Sequence, residues 1–239
     1  MAAALKIHGS WRCRMPKQYL TKEMANNLYW FGRYIKRLEI ELDAVEVTFD
    51  KVIDVDPDAG RTLFARLGAT LHYKSATEYL QEAIYGEHPV RLFEIVQHLR
   101  ENAIIARNYL HADTFAAVIQ LHRHFAKHEH SIYDVDYHFF DHAFEMILQI
   151  WGGMHQYLQY HKSDRFIQLG EMIEKVDLRI RLDEQMEFAL LLLEDIDVVA
   201  KSLTPDYRQE RMTGLRPEKM LQKVNRIIDH IVVDKNAKL

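Results

Sequence analysis

The longest regular pattern of apolar positions lies between Thr21 and Ile53. Apolar residues recur there in alternating steps of four and three, a spacing that keeps one face of a helix against partner helices. The residues of this stripe are Met24, Leu28, Phe31, Ile35, Leu38, Leu42, Val45, Phe49 and Val52. A second apolar face carries Tyr29, Trp30, Ile40 and Val47. The pattern predicts one helix of about 50 Å, at about 1.5 Å per residue, with Thr21 as its N-cap and other helices around both apolar faces.

The rest of the chain repeats the helical spacing and contains several boundary signals. A second helix is predicted from Asp58 to His72, after the turn at Pro57, and Ser75 opens a capping box for a short third helix. Pro217 fits the first turn of a last helix. No segment alternates apolar and polar residues with the period of two that strands require. We therefore predict an all-α fold, a single multi-helix bundle with long, heptad-patterned helices.

The domain organisation follows from the absence of dividing segments. No long linker or low-complexity tract interrupts the chain of 239 residues. Residues 1–20 lack a clear period and are predicted to form an N-terminal arm, and residues 21–239 are predicted to form one helical domain. Within that domain the apolar stripe changes phase near Asp183. Either one long helix carries a stutter at this point, or two helices meet there.

The first helix and the segment that follows Ser163 align with each other without gaps. The matched pairs include Leu28 with Phe166, Gly32 with Gly170, Arg37 with Lys175 and Glu39 with Asp177. Heptad spacing alone would match the apolar positions, whereas the shared glycine and the shared order of cation and acid favour an internal duplication. A duplication would place equivalent charged residues near a pseudo-twofold axis. At this point duplication and coincidence both stay open.

A row of charged residues follows one face of the first helix. Arg33, Arg37 and Glu41 lie four residues apart, on a face that also carries Trp30 and Ile40. This composition predicts partial burial, and a buried arginine requires an acidic partner because an unpaired buried charge is costly. The candidate acids are Glu101, Glu171, Glu174 and Asp177.

These charges have three interpretations. The first is a structural network of ion pairs that holds the helices in register. The second is an anion pocket, in which Arg33, Arg37 and Arg107 bind a carboxylate or phosphate through their planar guanidinium groups, and Asn102 supplies an amide. The third is ordinary solvated surface. The predicted binding residues are Arg33, Arg37, Glu101, Asn102, Arg107, Glu171 and Glu174, and no catalytic residue is assigned.

Histidines form two pairs with helical spacing. His124 and His128 lie one turn apart, as do His138 and His142, so each pair has the spacing of a metal chelate. The glutamate-x-x-histidine pairs of carboxylate-bridged di-iron bundles are absent. We therefore predict no metal and no other cofactor, and we keep a metal site at these four histidines as the alternative.

Composition and charge limit the classes of partner. The formal net charge of −4 gives no general attraction to nucleic acid or to anionic lipid. The longest apolar run, Phe188 to Leu193, is far shorter than the ~20 residues that cross a bilayer, and the amino terminus lacks the continuous apolar core of a signal peptide. The single cysteine, Cys13, cannot form an internal disulfide. These features predict a cytoplasmic protein without nucleic-acid or membrane partners.

Signals for catalysis are sparse. No serine lies in a glycine-flanked nucleophile elbow, and no glycine-rich phosphate loop is present. Any ATP would have to be bound by another chain. Whether the protein is an enzyme stays undecided, and the sequence favours no catalytic activity of its own.

Three stretches of the chain resemble the Alpha-E family, bacterial all-helical proteins named for a Glu-Arg motif. Residues 27–39, with the sequence NLYWFGRYIKRLE, look like the opening helix of the family, and residues 100–107 and 166–182 are similar to two later motifs. Where the family has Glu-Arg, this chain has Lys36-Arg37 and Glu174-Lys175, and the second Gly-Arg is Gly170-Glu171. The resemblance therefore indicates a divergent member.

The resemblance also implies a biological setting. Gene neighbourhoods link the family to circularly permuted ATP-grasp ligases and transglutaminase-like proteins, which implies a role in making or modifying peptides. On this basis we expect a non-catalytic helical partner of an ATP-grasp-type peptide ligase, which positions an acidic substrate or docks the enzyme. The alternatives are a metal-dependent enzyme that uses the histidine pairs, and a structural homo-oligomer, because helices with two apolar faces also pair between chains.

Overall fold

The computed structural model describes residues 20–131, 135–155, 162–182, 186–209 and 216–229. Within these ranges the fold is all-α and contains no strand, which confirms the predicted fold class. The helices are α1 (Lys22–Asp54), α2 (Ala59–Leu67), α3 (Ala76–Tyr85), α4 (Leu92–Ile105), α5 (Ala112–His128), α6 (Tyr137–His155), α7 (Lys162–Leu182), α8 (Met186–Leu203) and α9 (Pro217–Ile228). A short 3-10 helix, Arg107–Tyr109, lies between α4 and α5. The predicted arm, residues 1–20, lies outside the described residues except for Leu20.

α1 is the central helix of the bundle. It packs against α2, α3, α4, α6 and α7, and its heptad stripe is buried or partly buried along its whole length. Thr21 is its N-cap, as predicted, because Oγ1 accepts a hydrogen bond from the backbone N–H of Met24 at 3.1 Å. The prediction that neighbours cover the second apolar face is wrong at Val47, which is 47 % exposed because a cleft opens beside this part of α1.

α2 is shorter than predicted and ends at Leu67 instead of His72. Gly68 follows with a φ of 94°, a left-handed conformation that glycine adopts without strain and that terminates the helix. Two other boundary predictions are confirmed. Oγ of Ser75 accepts a hydrogen bond from the backbone N–H of Glu78 at 3.2 Å, and α9 begins at Pro217.

The change of phase near Asp183 separates two helices. Asp183 itself lies outside the described residues. On either side of it, α7 ends at Leu182, α8 begins at Met186, and the two helices pack against each other, which favours the alternative of two helices. Arg66 of α2 stabilises the end of α7, because its Nη1 donates a hydrogen bond to the carbonyl oxygen of Leu182 at 3.0 Å.

α1 and α7 approach each other closely at two glycines. A Cβ atom built on Gly32 would overlap the carbonyl oxygen of Ile167 and lie 2.9 Å from its carbonyl carbon. A Cβ atom on Gly170 would overlap the carbonyl oxygen of Tyr29 and lie 3.0 Å from its carbonyl carbon. Only glycine permits such an approach of two backbones. The two glycines therefore set the distance between the helices.

The two glycine contacts are related to each other by the alignment of α1 with α7. The alignment that matches the two glycines also matches Tyr29 with Ile167, so the two contacts are equivalent. The helices run in the same direction, since the pairs Tyr29–Gly170 and Arg37–Glu174 follow each other in the same order along both helices. The two glycine contacts are thus related by a pseudo-twofold axis, whereas the duplication itself stays a prediction.

Candidate functional site

A cluster of buried ion pairs lies between α1 and α7, next to the glycine contact. Glu174 is fully buried and accepts hydrogen bonds from both arginines of α1. Its Oε2 accepts from Nε of Arg33, and its Oε1 accepts from Nε of Arg37 at 2.6 Å. Asp177 accepts a longer bond from Nη2 of Arg33 at 3.3 Å. Together with Glu41, whose Oε1 lies 3.9 Å from Nε of Arg37, these residues form what we call the arginine–carboxylate cluster.

Both arginines of the cluster are held in the charged form. Burial alone would lower the pKa of Arg33, but the charge of Glu174 and the other contacts of this side chain raise it above its ordinary value. Burial would also lower the pKa of Arg37. The charge of Glu174 and the hydrogen bond that Arg37 donates to Glu174 outweigh burial and raise this pKa. Each Nε–H group therefore already has a carboxylate acceptor. An external anion would have to displace Glu174 from these two Nε–H groups, so the geometry at these atoms favours the structural network over the anion pocket.

Glu41 is the exception within the cluster. Its side chain is 3 % exposed, and its Oε2 has no hydrogen-bond partner among the described residues. Burial raises the pKa of Glu41 to about 8, the charge of Arg37 partly offsets this rise, and the charge of Glu174 adds to it. Glu41 is therefore mostly protonated at neutral pH, which lowers the cost of burying its unpaired oxygen.

The raised pKa of Glu41 makes the stability of the fold depend on pH. The folded chain keeps this proton up to about pH 8, whereas the unfolded chain releases it near the ordinary value of 4.5. The contribution to stability is therefore complete below pH 4.5 and is lost as the pH rises to about 8, at on the order of 1 kcal/mol per pH unit. Glu41→Gln removes this titration, so its free energy of unfolding should fall less than that of the unaltered chain over the same range.

Urea unfolding at several pH values measures this difference. The other titrating groups are common to both chains, so the comparison of the two slopes isolates Glu41. Equal slopes for Glu41→Gln and the unaltered chain would contradict the assignment of a neutral carboxyl.

A second ion pair lies at the same helix contact and involves α6. Nζ of Lys36 donates to Oε2 of Glu39 at 2.7 Å and lies 3.4 Å from Oε1 of Glu171. The ammonium group also lies 4.4 Å from the ring centre of Trp151 in α6. Nε1 of this tryptophan donates to the same Glu39 oxygen at 2.7 Å. Lys36 is thus held by two carboxylates and by the face of an aromatic ring.

The two ion pairs are related by the alignment of α1 with α7, with their charges exchanged. The alignment matches Arg33 with Glu171 and Lys36 with Glu174. The ion pair between Arg33 and Glu174 is therefore equivalent to the ion pair between Lys36 and Glu171. Lys36 and Glu171 are also positions at which the chain departs from the Glu-Arg and Gly-Arg pattern of the family it resembles. The two residues that depart from the pattern therefore lie next to each other in this chain, 3.4 Å apart.

Three of the other predicted binding residues lie apart from the arginine–carboxylate cluster. Nδ2 of Asn102 donates to the carbonyl oxygen of His98 at 2.8 Å. The guanidinium of Arg107 lies 5.5 Å from the centre of the Phe115 ring, and Oε2 of the exposed Glu101 lies 3.5 Å from Nδ1 of His98. Among the predicted residues, the structure brings together Arg33, Arg37 and Glu174 in this cluster.

Three histidine rings form a group between α5 and α6. The ring centres of His128 and His142 lie 4.9 and 6.0 Å from that of His124, and His138 contacts His142 through its carbonyl oxygen. Burial lowers the pKa of His124, although its contact with the carbonyl of Phe139 opposes this. Within the described ranges, no three His, Cys, Asp or Glu side chains are placed to hold a metal ion. The alternative metal site at the histidine pairs stays a prediction.

A cleft of about 850 Å³ opens along α1, between this helix and α2, α6 and α7, and we call it the α1 cleft. This volume is within the range of about 300–1,000 Å³ typical of ligand sites. Its apolar lining includes Ile40, Ala44, Val47, Leu63, Phe144, Ile147, Leu148 and Leu182. Its basic residues are Lys36, Lys51, Arg66, Lys175 and Arg179, and its acidic residues are Glu39, Asp43 and Asp56. Val47 and Leu148 are 47 and 68 % exposed, so the cleft is open to solvent.

Two cations of the cleft are available to a ligand. Glu39 and Asp56 each accept hydrogen bonds from neighbouring groups. By contrast, Lys175 is half-buried and Lys51 is exposed, and neither has an ion-pair partner in the part of the chain that the structure describes. With Asp43 as the third acid, the five cations of the lining outnumber its three carboxylates, so the cleft favours an anionic ligand. Sequence analysis missed it because its walls come from four helices, and no local pattern indicates a gap between them.

In the described residues, no helix combines the length and the apolar character needed to cross a membrane.

Similarity to known proteins is found at the level of the family. No curated protein and no solved structure matches the chain. The sequence model of Alpha-E, described as a predicted alpha-helical domain with a conserved ER motif, matches residues 20–222. This match covers both helices of the ion pairs and most of the 239 residues, so the chain belongs to the Alpha-E family.

Proposed function

We propose that this Alpha-E protein is a non-catalytic helical partner of an ATP-grasp-type peptide ligase, and that it positions an acidic peptide substrate in the α1 cleft. The observation that carries the proposal is the cleft itself, where Lys51 and Lys175 have no ion-pair partner among the described residues. The gene neighbourhoods of the family suggest the ligase. The cleft suggests what the helical partner contributes.

The lining of the cleft suits a peptide that carries both carboxylates and apolar side chains. Phe144, Ile147 and Leu148 form an apolar wall on α6, while Lys51 of α1 and Lys175 of α7 supply positive charge. Because the whole chain has a net charge of −4, this positive charge is local. Its attraction for an acidic peptide should be strongest at low ionic strength.

Positioning a substrate contributes to catalysis without a chemical group from the partner. A ligase that meets its substrate already bound beside its active site gains effective concentration and orientation. The expected kinetic signature is a lower KM for the acidic substrate, because the bound peptide no longer has to be captured from dilute solution.

Co-expression of the chain with an ATP-grasp-type ligase from the family's gene neighbourhoods tests the proposal. We expect the two proteins to copurify, and the KM of the ligase for a glutamate-containing acceptor peptide to fall at least about threefold when the chain is added. A coupled assay of ADP release gives the KM. The same peptide with glutamine in place of glutamate is the matched control and should show little change.

Three outcomes would overturn this function. The absence of a complex, together with an unchanged KM, removes the partner role. Turnover by the chain alone that is lost with a chelator identifies a metal-dependent enzyme instead. A chain that self-associates and does not bind the ligase identifies a structural homo-oligomer.

A further inference from the structure

The alignment of α1 with α7 leaves one cation without the carboxylate that its counterpart has. Arg37 and Lys175 occupy aligned positions. Nε of Arg37 donates to Oε1 of Glu174 at 2.6 Å, and by the same symmetry the acceptor for Lys175 would belong to residue 36. That residue is Lys36. The position equivalent to the carboxylate of Glu174 is therefore occupied by an ammonium group.

The two lysines differ in their surroundings. The ammonium group of Lys36 is bound by Glu39 at 2.7 Å, lies 3.4 Å from Glu171 and lies 4.4 Å from the ring centre of Trp151. Lys175 is half-buried in the lining of the α1 cleft and has no ion-pair partner in the described ranges. An anion that enters the cleft here gains a charge-assisted contact with an ammonium group that no carboxylate of the described residues binds.

We propose that this end of the α1 cleft is a carboxylate subsite, in which Lys175 binds one carboxylate of an acidic peptide. The carboxylate approaches Lys175 from the open side of the cleft, beside Lys36, and supplies the acceptor that Glu174 supplies to Arg37. The subsite defines the ligand group of the same cleft, and the role of the bound peptide as a ligase substrate rests on the proposed function.

The local charge matches a carboxylate better than a phosphate. Glu39 and Glu171 already compensate the charge of Lys36. Lys175, which has no ion-pair partner within the described residues, then supplies one positive charge, and a single charge balances a monoanionic carboxylate. A phosphate monoester carries about 1.5 to 2 negative charges at pH 7 and would leave part of its charge unbalanced.

Lys51, the second cation without an ion-pair partner in the described part of the chain, indicates the length of the ligand. Lys51 lies 14 positions beyond Arg37 on α1, and Arg37 is aligned with Lys175, so about 21 Å of helix separates the two lysines. An extended peptide spans this distance with about six residues. The apolar residues Ile40 and Ala44 line the interval. A small monocarboxylate would reach only one of the two cations, so the geometry favours a peptide.

Fluorescence anisotropy with the full chain tests the subsite. The probe is a fluorescein-labelled hexapeptide of alternating glutamate and leucine with an amidated C terminus, at about 50 mM salt, where charges are weakly screened. We expect saturable binding by the unaltered chain and a Kd at least about tenfold higher for Lys175→Met, which removes the charge and keeps most of the side-chain length. Lys162→Met changes an exposed lysine of the same helix that does not line the cleft, and it should bind like the unaltered chain.

An exchange of charges provides a second test. The double variant Lys36→Glu with Glu171→Arg keeps an ion pair between these positions and places a carboxylate beside Lys175. It should fold and yet lose the peptide, because Lys175 is then paired within the chain. Circular dichroism and thermal melting check the fold. Lys175→Met should melt within about 3 °C of the unaltered chain, since this lysine has no ion-pair partner to lose among the residues that the structure describes.

Two outcomes would overturn the subsite, and the form of the peptide identifies the bound carboxylate. The proposal fails if the unaltered chain does not bind the probe, or if a folded Lys175→Met chain binds it as tightly as Lys162→Met. Loss of binding when glutamine replaces glutamate assigns the subsite to side-chain carboxylates. Binding of a glutamine peptide with a free C terminus, sensitive to Lys175→Met, assigns it to the terminal carboxylate. No ligase is present, so failure of the ligase partnership would leave these results unchanged.

Discussion

Gly32→Ala is expected to lower the free energy of unfolding by about 3 kcal/mol or more. The added Cβ would overlap the carbonyl oxygen of Ile167, and a backbone atom cannot rotate away as the end of a side chain can. α1 and α7 would have to separate where they are closest, and the adjacent ion pairs would lengthen. Gly170→Ala should show a similar loss, because its Cβ would overlap the carbonyl oxygen of Tyr29. Urea unfolding followed by circular dichroism measures both.

Gly152→Ala is the matched control for these variants. Gly152 also lies within a helix, but a Cβ built there meets nothing within 4 Å. Alanine is more favourable than glycine in a helix by about 1 kcal/mol, so this variant should be slightly more stable than the unaltered chain. A loss of similar size in Gly152→Ala and Gly32→Ala would mean that the close approach of α1 and α7 does not cause the effect.

Glu174→Gln is expected to lower the free energy of unfolding by about 3 kcal/mol. Glutamine has nearly the same shape as glutamate, so the change removes the charge and keeps the packing. The guanidinium groups of Arg33 and Arg37 then share a neutral acceptor at a site where the glutamate side chain is fully buried. Breaking a buried ion pair on one side leaves charge without compensation, which is why the loss is large. Chemical denaturation at pH 7 gives the value.

Glu171→Gln provides the comparison for the charge effect. The carboxylate of Glu171 is 19 % exposed and lies 3.4 Å from Lys36, and Lys36 has Glu39 as a closer partner at 2.7 Å. We expect a loss below about 1 kcal/mol, as for a partly exposed pair. If Glu174→Gln were equally mild, the arginine–carboxylate cluster would contribute little to the fold. Arg33 and Arg37 would then be candidates for binding an external anion.

The two large effects have a common structural origin. The close approach at Gly32 and Gly170 brings the backbones of α1 and α7 together, and this approach buries the carboxylate of Glu174. Burial strengthens the charge interaction and also makes its loss expensive. One relative position of α1 and α7 brings both the glycine contacts and the ion pairs into place. A shift of one helix by a turn would therefore lose both contacts at once.

Most features of α1 could be predicted from local patterns. The heptad spacing predicts a helix over 21–53, and the structure has Lys22–Asp54. Thr21 caps this helix through the next turn, which is a local contact.

The prediction for α2 was wrong at its carboxyl end, because apolar spacing continued past Gly68 while the left-handed glycine ended the helix. Glycine after a helical stripe is the signal that would have corrected it.

The candidate site could be predicted only in part. The need of Arg33 and Arg37 for a buried acid follows from their position on a partly apolar face, and four acids were candidates. The choice of Glu174, more than 130 positions away in the chain, depends on how α7 lies against α1. The contacts of Lys36 had one local signal, the i,i+3 spacing to Glu39. The contact of Lys36 with the Trp151 ring had no local signal in the sequence, because this tryptophan lies on α6.

Helix limits, end caps and the matching glycines of α1 and α7 can be read from the chain, because each depends on residues within a turn or two or on a repeated spacing. The pairing of the carboxylates, the retained proton of Glu41 and the placement of Lys175 in an open cleft followed only from the packed helices. Burial and charge interactions depend on distances between segments that are remote in sequence, and those distances exist only once the helices have packed.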